Sequence, residues 1–176
     1  MYQLTTDDTD SMPTSPLFYV IVFLIMSAII AVTPVQALAL ESIHTDENTP
    51  DVVFGQAKVV MAGQTYTLEF ANNDTQRARG LMYRTELCND CGMLFDFGQS
   101  RPVGMWMKNT NIALDVAYLD ATGEIINIEP MQPRSLQSHY SKGPVKFAIE
   151  MNLGWFAMHD LQAGDKVRLI SAMPKN

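Results

Sequence analysis

The segment 112–129 constrains the fold more than any other part of the sequence. Residues 112–119 and 124–129 are runs of apolar and β-branched residues, and the turn sequence DATG lies between them at 120–123. Two such runs around a short glycine-containing turn are typical of a β-hairpin. Because alternate strand residues face opposite sides of a sheet, residues 112, 114, 116 and 118 should share one face, and residues 113, 115, 117 and 119 the other.

Similar short runs recur along the rest of the chain. They predict strands at residues 57–61, 65–70, 92–97, 103–108, 145–151 and 165–170, with the first two forming a hairpin around residues 62–64. Asn73 followed by Gln76 resembles a capping box and predicts a helix over 74–82. Another short helical turn is predicted at 154–161, and residues 130–144, with three prolines, are expected to form a long loop. These elements predict an α+β, β-rich domain, a small barrel-like or strongly curled sheet with one or two short helices.

The N-terminal region has the pattern of an export segment. Residues 17–32 contain no charge, and they are shorter than the roughly 20 residues of a typical membrane helix. Small residues at Ala37 and Ala39 favour a signal peptide over 1–39 that is cleaved after Ala39. The region before the apolar run has three acids and no basic residue, which is unusual for a signal. Translation from Met12, or an uncleaved N-terminal membrane anchor, therefore remains an alternative.

Either form of the N-terminus places the domain outside the cytoplasm, in the periplasm or the extracellular space. Membrane contact is expected only through residues 17–32, if they are not cleaved. Residues 40–51 are expected to be a polar spacer, and residues 52–172 a single globular β-rich domain. Twelve Lys and Arg against nineteen Asp and Glu give a formal charge of −7, which argues against a nucleic-acid partner.

Three blocks of sequence carry a family resemblance. They are RGLMYRTEL with CGMLFDF (79–87 and 91–97), MWMKNTNIALDVAYLDATGEI (105–125), and FAIEMNLGW leading to AGDKV (147–155 and 163–167). Together they resemble the exported bacterial and archaeal proteins grouped as domain of unknown function 192, or uncharacterised protein family 0127, over residues 52–170. The resemblance implies a compact β-barrel-like fold, often behind a signal peptide, and no known activity. The pair Cys88 and Cys91 departs from the family pattern.

Two carboxylates and one arginine are the candidate functional cluster. Asp115 lies between Ala113 and Ala117, whose small side chains leave space beside it. A buried carboxylate must be paired or hydrogen-bonded, and Arg84 is the expected counter-charge for Asp115 and Glu150. These residues predict either a polar network that holds loops in place or a ligand pocket. The full set of candidate ligand contacts is Arg84, Met107, Asn109, Thr110, Asp115 and Glu150.

The two cysteines are expected to form a local disulfide. A pair three residues apart in an oxidising compartment favours a bond between Cys88 and Cys91. A free or metal-binding pair, or a redox centre, remains open. The three histidines, at positions 44, 139 and 159, are scattered and fit no ligand spacing, so no metal site or cofactor is predicted.

Methionine is abundant in the family motifs, at positions 82, 93, 105 and 107. Thioethers fill irregular core gaps, and they also bind Cu(I). No Gly-rich phosphate loop or Gly-x-Ser-x-Gly motif is present in the sequence. The favoured hypothesis is a non-enzymatic ligand-binding or accessory module of the cell envelope, whose partner is an unknown small molecule or an envelope protein. The alternatives are an enzyme that uses Asp115 and Glu150, and a methionine-based copper-binding protein.

Overall fold

The computed structural model describes residues 52–174, so the predicted signal segment (1–39) and the whole of the predicted spacer (40–51) lie outside the described residues. Within 52–174 the chain forms nine strands and two short helices. In chain order they are β1 (Gly55–Met61), β2 (Gln64–Ala71), α1 (Asp74–Arg79), β3 (Gly92–Arg101), β4 (Gly104–Met105), β5 (Leu114–Leu119), β6 (Ile125–Met131), β7 (His139–Tyr140), β8 (Val145–Asn152), α2 (Trp155–Met158) and β9 (Arg168–Met173).

Seven of these strands form one sheet in the order β6-β5-β8-β3-β2-β1-β9, and β4 pairs with β7 in a separate two-stranded sheet. All neighbouring pairs are antiparallel except β2 and β3, which run parallel and are joined by a crossover that contains α1. The sheet places β8 between β3 and β5. The domain is therefore β-rich with few short helices, as the sequence predicts.

Both predicted hairpins are confirmed. β1 and β2 pair from Met61 opposite Gln64, and the two turn residues between them, Ala62 and Gly63, have positive φ angles of 47° and 75°. Two consecutive positive φ angles are typical of the tight turns that match the twist of a hairpin. β5 pairs with β6 over its whole length, with one irregularity next to Leu119.

Helix α1 begins as the capping pattern predicts. The Asn73 side chain accepts a hydrogen bond of 2.9 Å from the Gln76 backbone N–H, and the Gln76 side chain accepts one of 3.0 Å from the Asn72 backbone N–H. The helix ends at Arg79, earlier than the predicted 82, because Gly80 leaves the helical region with a φ of +46°.

Several predicted boundaries are wrong. Only Gly104–Met105 of the predicted strand 103–108 pairs, because the chain turns at Met107, where the carbonyl accepts a hydrogen bond from the Thr110 N–H. The predicted loop 130–144 contains β7, and β6 extends into its first residues. The predicted strand 165–170 begins at Arg168, because Asp165 still belongs to a turn closed by its bond to Gln162.

The sheet has a hydrophobic core on each face, and β5 is buried on both sides. Its residues Leu114, Val116 and Tyr118 lie in one core, and Ala117 and Leu119 lie in the other, which confirms the predicted alternation. We call these the Tyr118 face and the Leu119 face. Other members of the Tyr118 face include Ala71, Met93, Phe95, Met107 and Ala148, and other members of the Leu119 face include Val59, Leu68, Leu94, Ile149, Met151, Trp155 and Phe156.

The prediction of a barrel-like sheet is wrong, because the seven-stranded sheet is not closed. Its two edge strands, β6 and β9, approach at one end through a single bridge between Glu124 and Lys166. Backbone hydrogen bonds of 2.8–2.9 Å link the Val167 N–H to the Gly123 carbonyl and the Ile125 N–H to the Asp165 carbonyl. A flat sheet of this width would separate its edges by roughly six strand spacings, so the bridge requires curvature, but no ladder joins the two edges.

Candidate functional site

Asp115 lies on the Leu119 face of β5, where it is 7% exposed. Its carboxylate accepts a hydrogen bond of 2.7 Å from the backbone N–H of Gly154, the residue that precedes helix α2. Burial raises the pKa of Asp115, and the bond from Gly154 opposes that rise. Asp115 therefore anchors the turn between β8 and α2.

Arg84 does not pair with Asp115, so that prediction is wrong. Its guanidinium donates two parallel hydrogen bonds of 2.7 Å to the two carboxylate oxygens of Glu69 on β2. The two side chains are 30% and 35% exposed. The predicted fork geometry is present, but its acceptor is a residue that the sequence did not single out.

Glu150 is also separated from Asp115. On the β5–β8 pair, Asp115 lies opposite Met151 and Glu150 lies opposite Val116, so the two carboxylates point to opposite faces. Glu150 shares the Tyr118 face with Ala148, as the strand alternation predicts. The structure therefore does not bring Arg84, Asp115 and Glu150 together into one pocket.

The environment of Glu150 is unusual for a carboxyl group. The residue is 4% exposed, and no group within residues 52–174 donates a hydrogen bond to its carboxylate. Burial raises its pKa to about 8. At neutral pH the Glu150 side chain is therefore mostly an uncharged carboxylic acid, which can donate a hydrogen bond as well as accept one.

Glu150 lies on the wall of an open cleft on the Tyr118 face, with a volume of about 250 Å³. We call it the arginine cleft, because α1 and β3 contribute three arginines to its lining. Its principal lining residues are Arg77, Arg79, Arg101, Phe95, Phe97, Met105, Trp106, Thr110 and Glu150.

The three arginines of the cleft differ in their ion pairs, hydrogen bonds and ring contacts. Arg77 forms an ion pair with Asp74 and donates a 2.7 Å hydrogen bond to the Asp96 carbonyl. The Arg79 guanidinium lies 4.6 Å from the centre of the Tyr83 ring, and its buried Nη1 has no hydrogen-bond acceptor. Arg101 lies 5.6 Å from the centre of the Phe97 ring and is exposed. Neither Arg79 nor Arg101 has a carboxylate partner within residues 52–174.

The three candidate residues of the segment 106–110 (WMKNT) lie in different environments. Thr110 is buried and lines the arginine cleft. Met107 is fully buried in the core of the Tyr118 face. Asn109 is exposed, with a φ of +58°, and its side chain donates a 2.9 Å hydrogen bond to the Tyr83 hydroxyl. Of the predicted site residues, only Thr110 and Glu150 lie in the cleft.

Arg77, Arg79, Arg101 and Trp106 were missed as site residues. A signal was present for two of them, because the predicted helix over 74–82 carries Arg77 and Arg79. Nothing in the sequence showed that the end of β3, which supplies Arg101, would lie beside that helix.

Cys88 and Cys91 lie at disulfide-bonding distance, with their Cα atoms 5.0 Å apart. The loop that they enclose is held from outside. The Asn152 side chain donates a 2.9 Å hydrogen bond to the Cys88 carbonyl, and the Trp155 indole N–H donates one of 3.1 Å to the Asp90 carboxylate. The disulfide loop is thus tied to the end of β8 and the start of α2.

The methionines of the family motifs contribute to packing. Met93 and Met107 are both 0% exposed within the core of the Tyr118 face, and Met105 packs against that core. Residues 52–174 contain no group of three or more His, Cys, Asp or Glu side chains placed to hold a metal ion. The same part of the chain contains no helix that is long and apolar enough to cross a membrane.

The family comparison agrees with the sequence blocks. The family model of DUF192, described as an uncharacterized ACR, matches residues 57–169, more than half of the chain. The chain belongs to the DUF192 family. No curated protein matches it.

Two solved structures are similar to this DUF192 chain. A protein from Sinorhizobium meliloti, described provisionally as a transcription regulator, is 36% identical, with a TM-score of 0.61; the match covers 66% of this chain and 94% of that one. A protein of unknown function from Novosphingobium aromaticivorans is 29% identical, with a TM-score of 0.59; the match covers 65% of this chain and 84% of that one.

Proposed function

We propose that this DUF192 protein is an exported, non-enzymatic domain that binds a small molecule in the arginine cleft. One observation carries the proposal, namely the buried Glu150 carboxyl on the wall of an open cleft without a hydrogen-bond partner in residues 52–174. Most of the residue is buried, but its carboxyl oxygens are accessible from the cleft. A ligand in the cleft would bond to a carboxyl that no protein group within residues 52–174 binds, and a site kept for binding tolerates a poorly solvated acid in the free protein.

The composition of the cleft also favours binding over catalysis. Besides Glu150 and the arginines, Thr110 is the principal polar side chain of its lining, and the Thr110 hydroxyl is directed to the Lys108 carbonyl at 3.4 Å. The cleft lining contains no Ser, Cys or His that could act as a nucleophile next to a base. Small-molecule sites commonly combine an apolar wall with a few convergent polar groups, and the arginine cleft has that composition.

Export is proposed from two features of the chain. Residues 1–39 have the pattern of a signal peptide. The cysteine pair at disulfide-bonding distance is characteristic of proteins outside the cytoplasm. The binding partner would therefore be a molecule of the envelope or of the surrounding medium.

A role in transcription regulation, the provisional description of the Sinorhizobium meliloti protein, would commonly involve DNA, and DNA binding has little support in this chain. The helices within residues 52–174 are six and four residues long, too short to serve as a recognition helix in a major groove. The formal charge is −7 for the whole chain and 12 − 16 = −4 without residues 1–39, and a negative charge opposes association with a phosphate backbone.

The test is native mass spectrometry of the protein purified without denaturation from the cell envelope. We expect a bound small molecule on the wild-type protein and on the Asp115→Asn variant, and a reduced fraction bound on Glu150→Met, which keeps a side chain of similar length without the carboxyl group. Each variant changes one buried acid, and the two positions lie on opposite faces of the sheet. Wild-type protein without any bound molecule, or a molecule bound equally to Glu150→Met, would contradict the proposal.

A further inference from the structure

We propose that the ligand of the arginine cleft is a small organic anion with a flat apolar part, held by Arg79 and Arg101 and by a hydrogen bond from the Glu150 carboxyl. This inference rests on the proposed function and specifies its ligand class. It depends on the charge, the apolar surface and the size of the cleft.

The charge of the cleft is positive although the chain is acidic. Arg77 is balanced by Asp74, but Arg79 and Arg101 have no carboxylate partner within residues 52–174. The Arg79 Nη1 is also a buried donor without an acceptor, and such donors are rare in folded proteins. Since Glu150 is mostly uncharged at neutral pH, no negative side chain of the cleft lining opposes an anion.

The apolar surface of the cleft includes three aromatic side chains, those of Phe95, Phe97 and Trp106. Phe95 is buried, Phe97 is half-buried, and Trp106 is 48% exposed. An exposed indole beside a polar cleft provides a face on which a flat group can stack. The Lys108 ammonium lies 5.4 Å from the centre of the Trp106 ring and adds to the positive charge at this rim.

The size of the cleft limits the ligand. Its volume of about 250 Å³ lies just below the range of roughly 300–1,000 Å³ of sites for drug-sized ligands. A single substituted ring with one carboxylate is therefore a suitable size, and a nucleotide or a peptide is too large.

The protonation state of Glu150 should make anion binding in the cleft depend on pH. Tyr118 on β5 faces Glu150, and burial raises the pKa of its phenol, so Tyr118 is uncharged near neutral pH. Met93 is opposite Glu150 on β3, and the arginines of α1 and β3 are the charged groups that line the same cleft. When Glu150 ionises at higher pH, it can no longer donate a hydrogen bond and it repels the bound anion.

The test uses three single-ring probes of similar size and different charge, namely benzoate, benzamide and benzylamine. Their binding to the purified protein is measured by titration calorimetry at about pH 6, below the pKa of about 8 of Glu150. We expect benzoate to bind and the neutral and cationic probes to bind at least tenfold more weakly, because only benzoate can form a hydrogen bond between opposite charges with the arginines.

Two variants test whether benzoate binds in the arginine cleft. Arg79→Gln should weaken benzoate binding roughly tenfold or more, and Arg168→Gln, at an exposed arginine of β9 outside the cleft, should leave it unchanged. Raising the pH to about 9 should weaken benzoate binding in the wild type and much less in Glu150→Gln.

The titration calorimetry tests the anion class of the ligand, and the native mass spectrometry tests the binding role itself. Equal binding of benzamide or benzylamine, or benzoate binding that does not respond to Arg79→Gln, overturns the anion class. No binding of any of the three probes at millimolar concentration also overturns it. The proposed function is judged separately by the natively bound molecule, and an uncharged or cationic molecule found there would refute the anion class and preserve the binding role.

Discussion

Asp115 and Glu150 lie on neighbouring strands, one residue out of register, and their side chains point to opposite faces of the sheet. Asp115 has a partner in the Gly154 N–H, whereas Glu150 has no hydrogen bond within residues 52–174. The two acids are therefore independent. One fixes a turn, and the other faces a cleft, so substitutions at the two positions should have different consequences.

Replacing Glu150 should stabilise the domain in mildly alkaline solution. Its pKa is raised from 4.5 to about 8 in the folded state. Between these two pH values the folded form therefore holds a proton that the unfolded form has released. The free energy of unfolding therefore falls as the pH rises through this interval, by about 5 kcal/mol at most. Glu150→Gln removes this loss, and its melting temperature should exceed that of the wild type at about pH 9 and match it at about pH 5.

The matched control is Glu86→Gln, because Glu86 is exposed. Its melting temperature should follow the wild type across the same pH range. A difference between Glu150→Gln and the wild type that does not change with pH would show that Glu150 is not the group that titrates.

Arg84 and Glu69 should be energetically coupled. Their bidentate bond is about one-third exposed, which limits its expected contribution to about 0.5–1 kcal/mol. A double-mutant cycle with Arg84→Gln and Glu69→Gln, measured by urea unfolding, should give a coupling energy of that size. The same cycle with Asp115→Asn in place of Glu69→Gln should give none. Coupling between Arg84 and Asp115 would contradict the observed pairing.

Asp115→Asn and Asp115→Ala should differ in stability. Asparagine keeps an oxygen that can accept the hydrogen bond from Gly154, and the raised pKa of Asp115 indicates that burial disfavours its charge. Alanine leaves the Gly154 N–H without its acceptor, which costs about 1–3 kcal/mol. Chemical unfolding should therefore place the alanine variant clearly below the asparagine variant, and equal stability of the two would refute an anchoring role for this bond.

Breaking the disulfide should cause a modest loss of stability. The bond between Cys88 and Cys91 closes a very short loop, for which the chain-entropy model gives about 2 kcal/mol. The double variant Cys88→Ser and Cys91→Ser should lose about this amount in urea unfolding and should remain folded. Unfolded, unreduced wild-type protein should contain no free thiol, and two free thiols by thiol titration would contradict the bond.

The local elements of the fold could be predicted from the sequence because their signals are local. The alternation at 112–119 and the turn at 120–123 predicted the β5–β6 hairpin, and Asn73 with Gln76 predicted the start of α1. The predicted strand boundaries were wrong where a turn interrupts an apolar run. The chain bends at Met107, within the predicted strand 103–108, where the Met107 carbonyl accepts a hydrogen bond from the Thr110 N–H.

The candidate site could be predicted only in part, because it depends on strand order. The sequence identified Glu150 and Thr110, and it placed Asp115 and Glu150 on strands correctly. It could not show which strands are neighbours, and therefore it assigned Arg84 to Asp115 instead of Glu69. A salt bridge between residues 15 positions apart in different elements leaves no periodic signal in the sequence.

The position of β8 between β3 and β5 has a consequence for the order of folding. Strands β5 and β6 join the rest of the large sheet through β8, which begins at Val145. A chain that emerges N-terminus first, from a ribosome or from a translocation pore, can form its two hairpins early, but it cannot join them until β8 is available. Contacts between residues distant in sequence slow folding, so this strand order delays completion of the domain until most of the polypeptide has emerged.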